Sequence, residues 1–280
     1  MIPDLQKKLE NFSFISKLFN FIRYKRYIYR KKREVKKNLI NRKSKHQNII
    51  SKLDKYGYYV EYNFLSKDSC VNLITVMENF IKNNPDKIWK DKNNSDYRIF
   101  GIENVSKEMN ILSKHQFPFS IGVDYLKTPI DLLMMMGNRV VYKDNNLGSG
   151  GGWHKDSYGK QYKSILYLND VTYENGPFEL VLNSNKTFFN FNMFFKINKR
   201  FPNTRFENEE VMKLINFDQK KIMRITGKAG TLILVDTSLL HRGSPIKNGI
   251  RYALTNYFYP TFSINLYKDK FSPRIVSPLY

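Results

Sequence analysis

The sequence predicts a mostly β fold, an antiparallel sandwich or barrel with flanking helices and a basic helical N-terminal extension, and three observations carry that reading. Downstream of residue 53, short β-type runs recur between Gly, Asn, Asp and Pro turn signals. Residues 1–52 instead show a helical apolar period that runs into a dense cationic stretch. Cys70 is the only cysteine, which excludes a disulfide framework and a thiolate metal cluster, so any metal would need histidine and carboxylate ligands.

The chain divides accordingly into an extension, 1–52, and a β domain, 53–280, with a long insertion at 186–224. In LENFSFISKLFNFIRYKRYIYRKKREVKK, the residues Leu9, Phe12, Ile15, Leu18, Phe19 and Ile22 keep helical spacing. The net charge of +22 is concentrated there: residues 1–52 hold 16 Lys and Arg against 3 acids, and the remainder 31 against 22. Such a block attracts an anionic surface. An amphipathic helix with a basic end fits either a membrane-surface contact or packing with solvated charges. Nucleic acid is the weaker partner, since no zinc-finger spacing, Walker loop or reader motif accompanies the charge. The extension should be separable from the chemistry, so that removing residues 1–48 leaves a folded domain. No apolar run reaches membrane-spanning length, and acids stand where a signal peptide carries its basic start. With the single cysteine, this predicts a cytoplasmic protein, peripheral at a membrane if the basic helix lies on lipid.

Within the domain, YGYYVEYNFL reads as a strand, followed by Ser66 as an N-cap and a helix with apolar positions Val71, Ile74, Met77 and Ile81, ended near Pro85. A second helical region is expected around residues 124–136. NRVVYKDNN, KSILYLND, GPFELVL, AGTLILVDTSLLHRGS and RYALTNYFYP then read as strands. The insertion is crowded with Phe188, Phe189, Phe191, Phe194, Phe195, Phe201 and Phe206, which fits a lid over an apolar or ring-bearing substrate and equally fits packing against the barrel.

Histidine occurs only four times, and one lies in GSGGGWHKDS. His154 and Asp156 alternate across one residue, so on extended backbone both leave the same face and can share a ligand. His-x-Asp alone is a weak signal. His241, 87 residues on at the end of a buried-type strand, supplies a third ligand. Two imidazoles and a carboxylate form the facial triad that holds iron(II) with open positions. Arg251 starts the next strand, where hairpin pairing would return it beside the metal and its guanidinium could grip a carboxylate through two hydrogen bonds. The glycines of GSGGG would let the backbone pass close to the ligands. His46 and His115 read as surface or packing residues.

WHKDS, LYLND, ENGPFELVLNSNK, AGTLILVDTSLLHRGSP and RYALTNYF, in that order, resemble the phytanoyl-CoA dioxygenase family of iron(II)- and 2-oxoglutarate-dependent oxygenases, and YGYYVEYNFLSKDSCVNLI resembles its opening strand-helix unit. The resemblance covers about residues 53–260 and leaves the extension outside. It implies a double-stranded β-helix of jelly-roll or cupin type whose mouth holds Fe(II). His154, Asp156 and His241 match the metal ligands, and Arg251 matches the residue that holds the far carboxylate of 2-oxoglutarate. Ser244 would add a hydroxyl to that carboxylate, although the family often carries the hydroxyl one position earlier, where this chain has Gly243. Tyr142 and Tyr167 are further cosubstrate contacts, or packing residues of the β core.

The implied activity is that of an Fe(II)/2-oxoglutarate-dependent dioxygenase. It would consume O2, release succinate and CO2, and hydroxylate a small organic metabolite, sugar or acyl-type substrate. Related halogenases lack the carboxylate ligand, so Asp156 favours hydroxylation. Two readings of other classes stay open at this level: a non-catalytic binding or scaffold protein on the same fold, and a nucleic-acid-directed oxygenase suggested by charge alone.

Overall fold

The computed structural model describes residues 2–41 and 43–279, with side chains omitted for 2–12 and 270. Its helices are α1 (Ile2–Lys37), α2 (Gln47–Tyr56), α3 (Lys67–Asn83), α4 (Lys107–Ser113), α5 (Gln116–Leu126), α6 (Thr187–Phe195), α7 (Asn208–Leu214) and α8 (Asn265–Phe271). The strands are β1 (Tyr58–Glu61), β2 (Trp89–Lys90), β3 (Asp96–Phe100), β4 (Ile130–Val141), β5 (Tyr162–Tyr167), β6 (Phe178–Val181), β7 (Ile222–Ile225), β8 (Leu232–Asp236), β9 (His241–Gly243) and β10 (Ile250–Pro260). Seven form one sheet in the order β1-β8-β5-β10-β4-β3-β2, and three form a smaller sheet, β7-β6-β9. All strand pairs within the two sheets are antiparallel, and the sheets face each other as a squashed barrel, the expected double-stranded β-helix.

The large sheet is covered on both faces, and its strands sort residues by parity. Tyr162 and Leu166 of β5, Leu232 and Leu234 of β8, and Leu254 and Phe258 of β10 join the core under α3 and α5. Ile165 and Tyr167, Ile233 and Val235, and Ala253 point the other way, into the barrel, where Phe178 and Leu180 of the small sheet meet them. Ile165, Tyr167, Ala253 and Phe178 share a cavity with Lys163, Asn138, Arg251 and Thr255 of the same strand faces, while Ile233, Val235 and Leu180 close the interior away from it. Burial of apolar surface at about 25 cal/mol per Å2 holds the layers together, and the period of two decides what reaches the mouth.

Ser66 caps α3, its hydroxyl accepting from the Ser69 amide at 3.2 Å. The buried face of that helix is Cys70, Leu73, Met77 and Phe80, one residue out of step with the expected set, and Val71 faces solvent. Residues 124–136 are not one helix. α5 stops at Leu126, where Lys127 turns left-handed, and the run after it is strand β4. Leu and Met are good helix formers, and a strand buried on both faces shows no alternation to correct that impression.

α1 lies across α6, and its stripe is not where its spacing placed it. Asn20 and Tyr24 are buried, with Phe21, Tyr27 and Ile28 packed around them against Phe194, Phe195, Phe201 and Tyr158. Ile15, Leu18, Phe19 and Ile22 face outward, as does Phe14. Leu9 and Phe12 of the expected stripe lie outside the described side chains. No described helix is long and apolar enough to cross a membrane.

Candidate metal centre and cosubstrate cavity

The GSGGG run passes close to the future ligands. A Cβ at Gly150 would lie 2.4 Å from His154 Cε1, and one at Gly148 would lie 2.2 Å from the Gly243 carbonyl oxygen. Both glycines also hold positive φ, which a side chain would strain. Beyond them His154 does not belong to a regular strand. It pairs by a single antiparallel bridge with His241, each amide donating to the other's carbonyl at 2.9 and 2.8 Å, and on its other side it bridges to Arg205. The small sheet is therefore continued past β9 by isolated rungs. The Asp156 amide donates to the Thr237 carbonyl at 3.0 Å, so the extended backbone persists and both side chains leave one face.

The ligand atoms of His154, Asp156 and His241 all lie within 4.8 Å of one another. His154 Nε2 is 3.8 Å from Asp156 Oδ1, and His241 Nε2 is 3.6 Å from Asp156 Oδ2, distances longer than hydrogen bonds. Each imidazole donates from Nδ1 to a backbone carbonyl, His154 to Gly152 at 2.9 Å and His241 to Leu239 at 2.8 Å. Those bonds set the tautomer that leaves both Nε2 lone pairs directed at the carboxylate. Burial, and then the neighbouring His241, lowers the His154 pKa to about 3, and burial lowers that of His241 as well. The rings are thus neutral ligands at physiological pH. Burial would raise the Asp156 pKa, but Lys163, with Nζ 2.7 Å from Oδ2, outweighs it and holds the carboxyl below the usual carboxylate range. Lys163 loses by desolvation, yet Asp156 and Tyr257 keep it protonated. Two neutral nitrogens and one ionised oxygen suit Fe(II), and Lys163 orients the carboxylate from behind.

A cavity of about 300 Å3 opens in front of this cluster. Arg251 forms part of its wall and is buried; it donates from Nη1 to the Gly176 carbonyl and from Nη2 to Asn138 Oδ1 at 3.1 Å, while Nε has no partner. Its acceptors are neutral, so a buried cation faces the cavity without a carboxylate at ion-pair distance, an arrangement that calls for an anionic ligand. Burial lowers its pKa without removing its charge. Arg251 does not come beside the metal through a hairpin with β9, as its position in the chain suggested. β9 pairs with β6 and β10 with β4 and β5, so the guanidinium reaches across the barrel between sheets. A Cβ on Gly243 would stand 3.1 Å from both Nη atoms, and the bare glycine makes room for them.

The softer assignments separate. Tyr167 lines the cavity, but its hydroxyl is engaged, donating to the Ile225 carbonyl at 2.9 Å and accepting from the Phe178 amide at 2.8 Å. Ser244 is absent from the lining; its amide donates to the Pro177 carbonyl at 2.8 Å, and Gly243 faces the cavity in its place. Tyr142 follows the end of β4, is half-exposed and donates to Asp144 at 2.7 Å, outside the cavity. The strand alternation that brings Asn138 inward does not extend past Val141. None of the eight phenylalanines of the insertion lines the cavity either. Arg205 is the insertion's one contribution, and Phe271 and Arg274 of the C-terminal segment cover the mouth.

Sequence reasoning missed Lys163, Ser149, Asn138, Arg98, Arg205 and Arg274, all of which line the cavity. Lys163 had a local signal, a lysine two and four residues from Ile165 and Tyr167 on one face of a buried-type strand. Ser149 fills the space a side chain at position 243 would take, its Cβ 2.8 Å from that point. The others are brought in by pairings that span the chain.

Among solved structures, HygX from Streptomyces hygroscopicus with nickel and 2-oxoglutarate bound superposes with a TM-score of 0.59 at 16% identity, over 79% of this chain and 89% of that one. EctD from S. alaskensis with bound Fe gives 0.59 at 18% identity over 80% and 81%. The epimerase SnoN in complex with Fe3+, alpha ketoglutarate and nogalamycin RO gives 0.58 at 13% identity over 76% and 83%. At these identities the likeness establishes the fold. A search of curated protein sequences returned no match. Residues 53–252, the greater part of the chain, match the family model of phytanoyl-CoA dioxygenase (PhyH), and the chain therefore belongs to that family of Fe(II)- and 2-oxoglutarate-dependent enzymes.

Proposed function

We propose that this enzyme hydroxylates a C–H bond of a small organic substrate, with Arg251 holding the distal carboxylate of 2-oxoglutarate. The observation that carries the reading is the juxtaposition of His154, Asp156 and His241 in one cavity with a buried guanidinium held only by neutral acceptors. When bound, Fe(II) would let O2 act as the oxidant and 2-oxoglutarate as the co-reductant, one oxygen atom ending in succinate as CO2 is lost and the other in the new hydroxyl of the substrate. The protein's part is placement. His154, His241 and Asp156 fix the metal on one wall, Lys163 keeps the carboxylate ionised and oriented, and Asn138 and the Gly176 carbonyl hold the Arg251 fork toward the cavity. Ser149, beside Gly243, is placed to add the hydroxyl that the resemblance sought at Ser244. Apolar side chains close the far end of the barrel against water.

HygX has been crystallised with hygromycin B and SnoN with a nogalamycin compound, which supports a small-molecule substrate here. The neighbours also include an epimerase and a carbocyclase, so the outcome needs a direct test. Anaerobic protein given Fe(II) and 2-oxoglutarate should show the visible charge-transfer band of the chelate. On admitting O2 with a substrate library, succinate should form together with a product heavier by one oxygen atom. Succinate with an isomerised or dehydrogenated product would replace hydroxylation by another oxidative outcome.

A second reading is favoured by the outward face of α1: contact with an anionic bilayer. Ile15 and Phe19 are 61% and 58% exposed, with Leu18 and Ile22 beside them, and Arg23, Lys25, Arg26, Arg30 and Arg33 follow them on the same helix. An apolar patch that continues into cations matches lipid boundary and acidic headgroups. The full chain should co-sediment with phosphatidylserine-containing vesicles at low salt and release as salt rises. Equal sedimentation of a Phe19→Ser/Ile22→Ser variant would defeat the lipid contact.

A further inference from the structure

The charged groups around the cavity are strongly one-sided. Among the described residues, Asp156 is the only carboxylate in its lining, against Lys163, Arg98, Arg205, Arg251 and Arg274. Fe(II), Asp156 and dianionic 2-oxoglutarate together amount to a single negative charge, which Arg251 balances. Arg98 is offset by Asp96, a buried residue behind the wall, bound through Nε at 3.0 Å. Lys163 stays paired with Asp156, Nζ 2.7 Å from Oδ2, and Arg205 and Arg274 then remain without a carboxylate of their own in the described lining.

The positions of the three outer arginines are linked by the fold. Arg205 is tied to the ligand strand itself, its backbone bridged to His154 and its guanidinium donating to the Gly150 carbonyl. Arg98 and Phe100 alternate on one face of β3, both lining the cavity. The bridge from Phe100 to Ile275 brings Arg274 over the Phe100 ring at 6.0 Å. Arg98 also feels Arg205: the Arg205 pKa is lowered by burial first and by Arg98 second. Bringing like charges together around a cavity is unfavourable unless an anion is shared between them. Planar guanidiniums with free N–H groups match phosphate oxygens through paired hydrogen bonds.

Building on the oxygenase reading above, we infer that the substrate is a small organic phosphate, its phosphoryl group gripped by Arg98, Arg205 and Arg274 at the mouth and its carbon skeleton presented to the His154–Asp156–His241 centre. Arg98 lies opposite Asn138, which also holds Arg251, so the substrate and 2-oxoglutarate subsites adjoin at that wall and are told apart by Arg205 and Arg274. Arg205 and Arg274 come from the insertion and the C-terminal segment, so those two excursions read the substrate while the barrel strands hold the cosubstrate.

Inorganic pyrophosphate is a suitable probe. Titrated calorimetrically into the anaerobic full chain loaded with Fe(II) and 2-oxoglutarate, it should bind saturably. The affinity should fall at least about tenfold in Arg205→Ala and in Arg274→Ala, with partial recovery in Arg205→Lys. The charge-transfer band should persist in each. In metal-free Arg251→Ala, where no iron can chelate it, pyrophosphate binding should persist, which separates the arginine grip from the 2-oxoglutarate site. Absence of pyrophosphate binding while the band forms, or affinity unchanged by both alanine variants, would overturn the phosphate grip and leave the oxygenase reading standing. Malonate bound as tightly as pyrophosphate at the same arginines would also overturn the phosphate assignment. Absence of the band in the wild-type chain would instead remove the oxygenase reading on which the inference rests.

Discussion

The metal cavity and the aromatic seat of α1 share one piece of backbone and use its two faces for opposite ends. Along residues 153–158 the even positions His154 and Asp156 face the cavity. The odd positions turn away: Trp153 into the aromatic cluster, Lys155 into the interior with Nζ donating to the Ser184 and Ser238 carbonyls at 2.6 and 2.8 Å, and Ser157 to the Tyr27 hydroxyl at 3.0 Å. Tyr158 then breaks the alternation and packs between Tyr24, Phe194 and Phe201. One face is polar and cationic; the other is mainly aromatic, with the Lys155 amine held among backbone carbonyls. The comparison teaches that the Phe-rich insertion and α1 act as a buttress behind the metal ligands, while the cover over the mouth comes from Phe271 and Arg274.

If that division holds, variants on the two faces should fail in different ways. His241→Ala should abolish the Fe(II)/2-oxoglutarate band, since a ligand atom is gone, and far-ultraviolet circular dichroism should report retained fold. A retained band would break the assignment of the polar face. Tyr24→Ala should act on stability, by about 3–5 kcal/mol in denaturant unfolding, because it empties a buried aromatic site on the cluster. Below its unfolding midpoint that variant should still form the band. A loss under 1 kcal/mol would mean that α1 is not part of the buttress.

Arg251→Ala should raise the 2-oxoglutarate requirement by the equivalent of about 2–5 kcal/mol, the usual effect of removing one partner of a buried charged pair. The Fe(II) requirement should change little. Arg251→Lys should recover only part of the loss, since a point charge replaces a fork, and identical cosubstrate titrations for all three proteins would assign the carboxylate to another residue. The smallest effect belongs to the outward face of α1: Ile22→Ser should alter stability within about 0.5 kcal/mol, as for surface positions generally. A larger destabilisation would show that this face, too, is covered.

These tests also bear on the expectation that residues 1–48 are separable from the domain. The spacing of Ile15, Leu18, Phe19 and Ile22 identified an apolar stripe, and it exists, but the protein packs the neighbouring face, Asn20, Phe21, Tyr24 and Ile28. An amphipathic period names a face and cannot say which other surface will meet it. In this helix aromatic residues occur all round; Phe21, Tyr24 and Tyr27 are the ones that dock, while Tyr29 is exposed. The misread of residues 124–136 has a related cause, because a doubly buried strand rich in Leu and Met has no period of its own.

What the amino-acid sequence determined by itself was local and ordered: the antiparallel β class from recurring strands and turns, the common face of His154 and Asp156 from a spacing of two, and the family from motifs in series. These need only backbone periodicity and residue chemistry. Tertiary structure alone decided that His154 and His241 pair rung to rung across 87 residues, that Arg251 approaches from the opposite sheet, and that Lys163 backs Asp156. It also decided that Tyr142 stays outside and that Arg98, Arg205 and Arg274 converge on one mouth. Those distances depend on how two sheets face each other and where excursions return, which is set by the burial of the whole apolar surface and by no single stretch of chain.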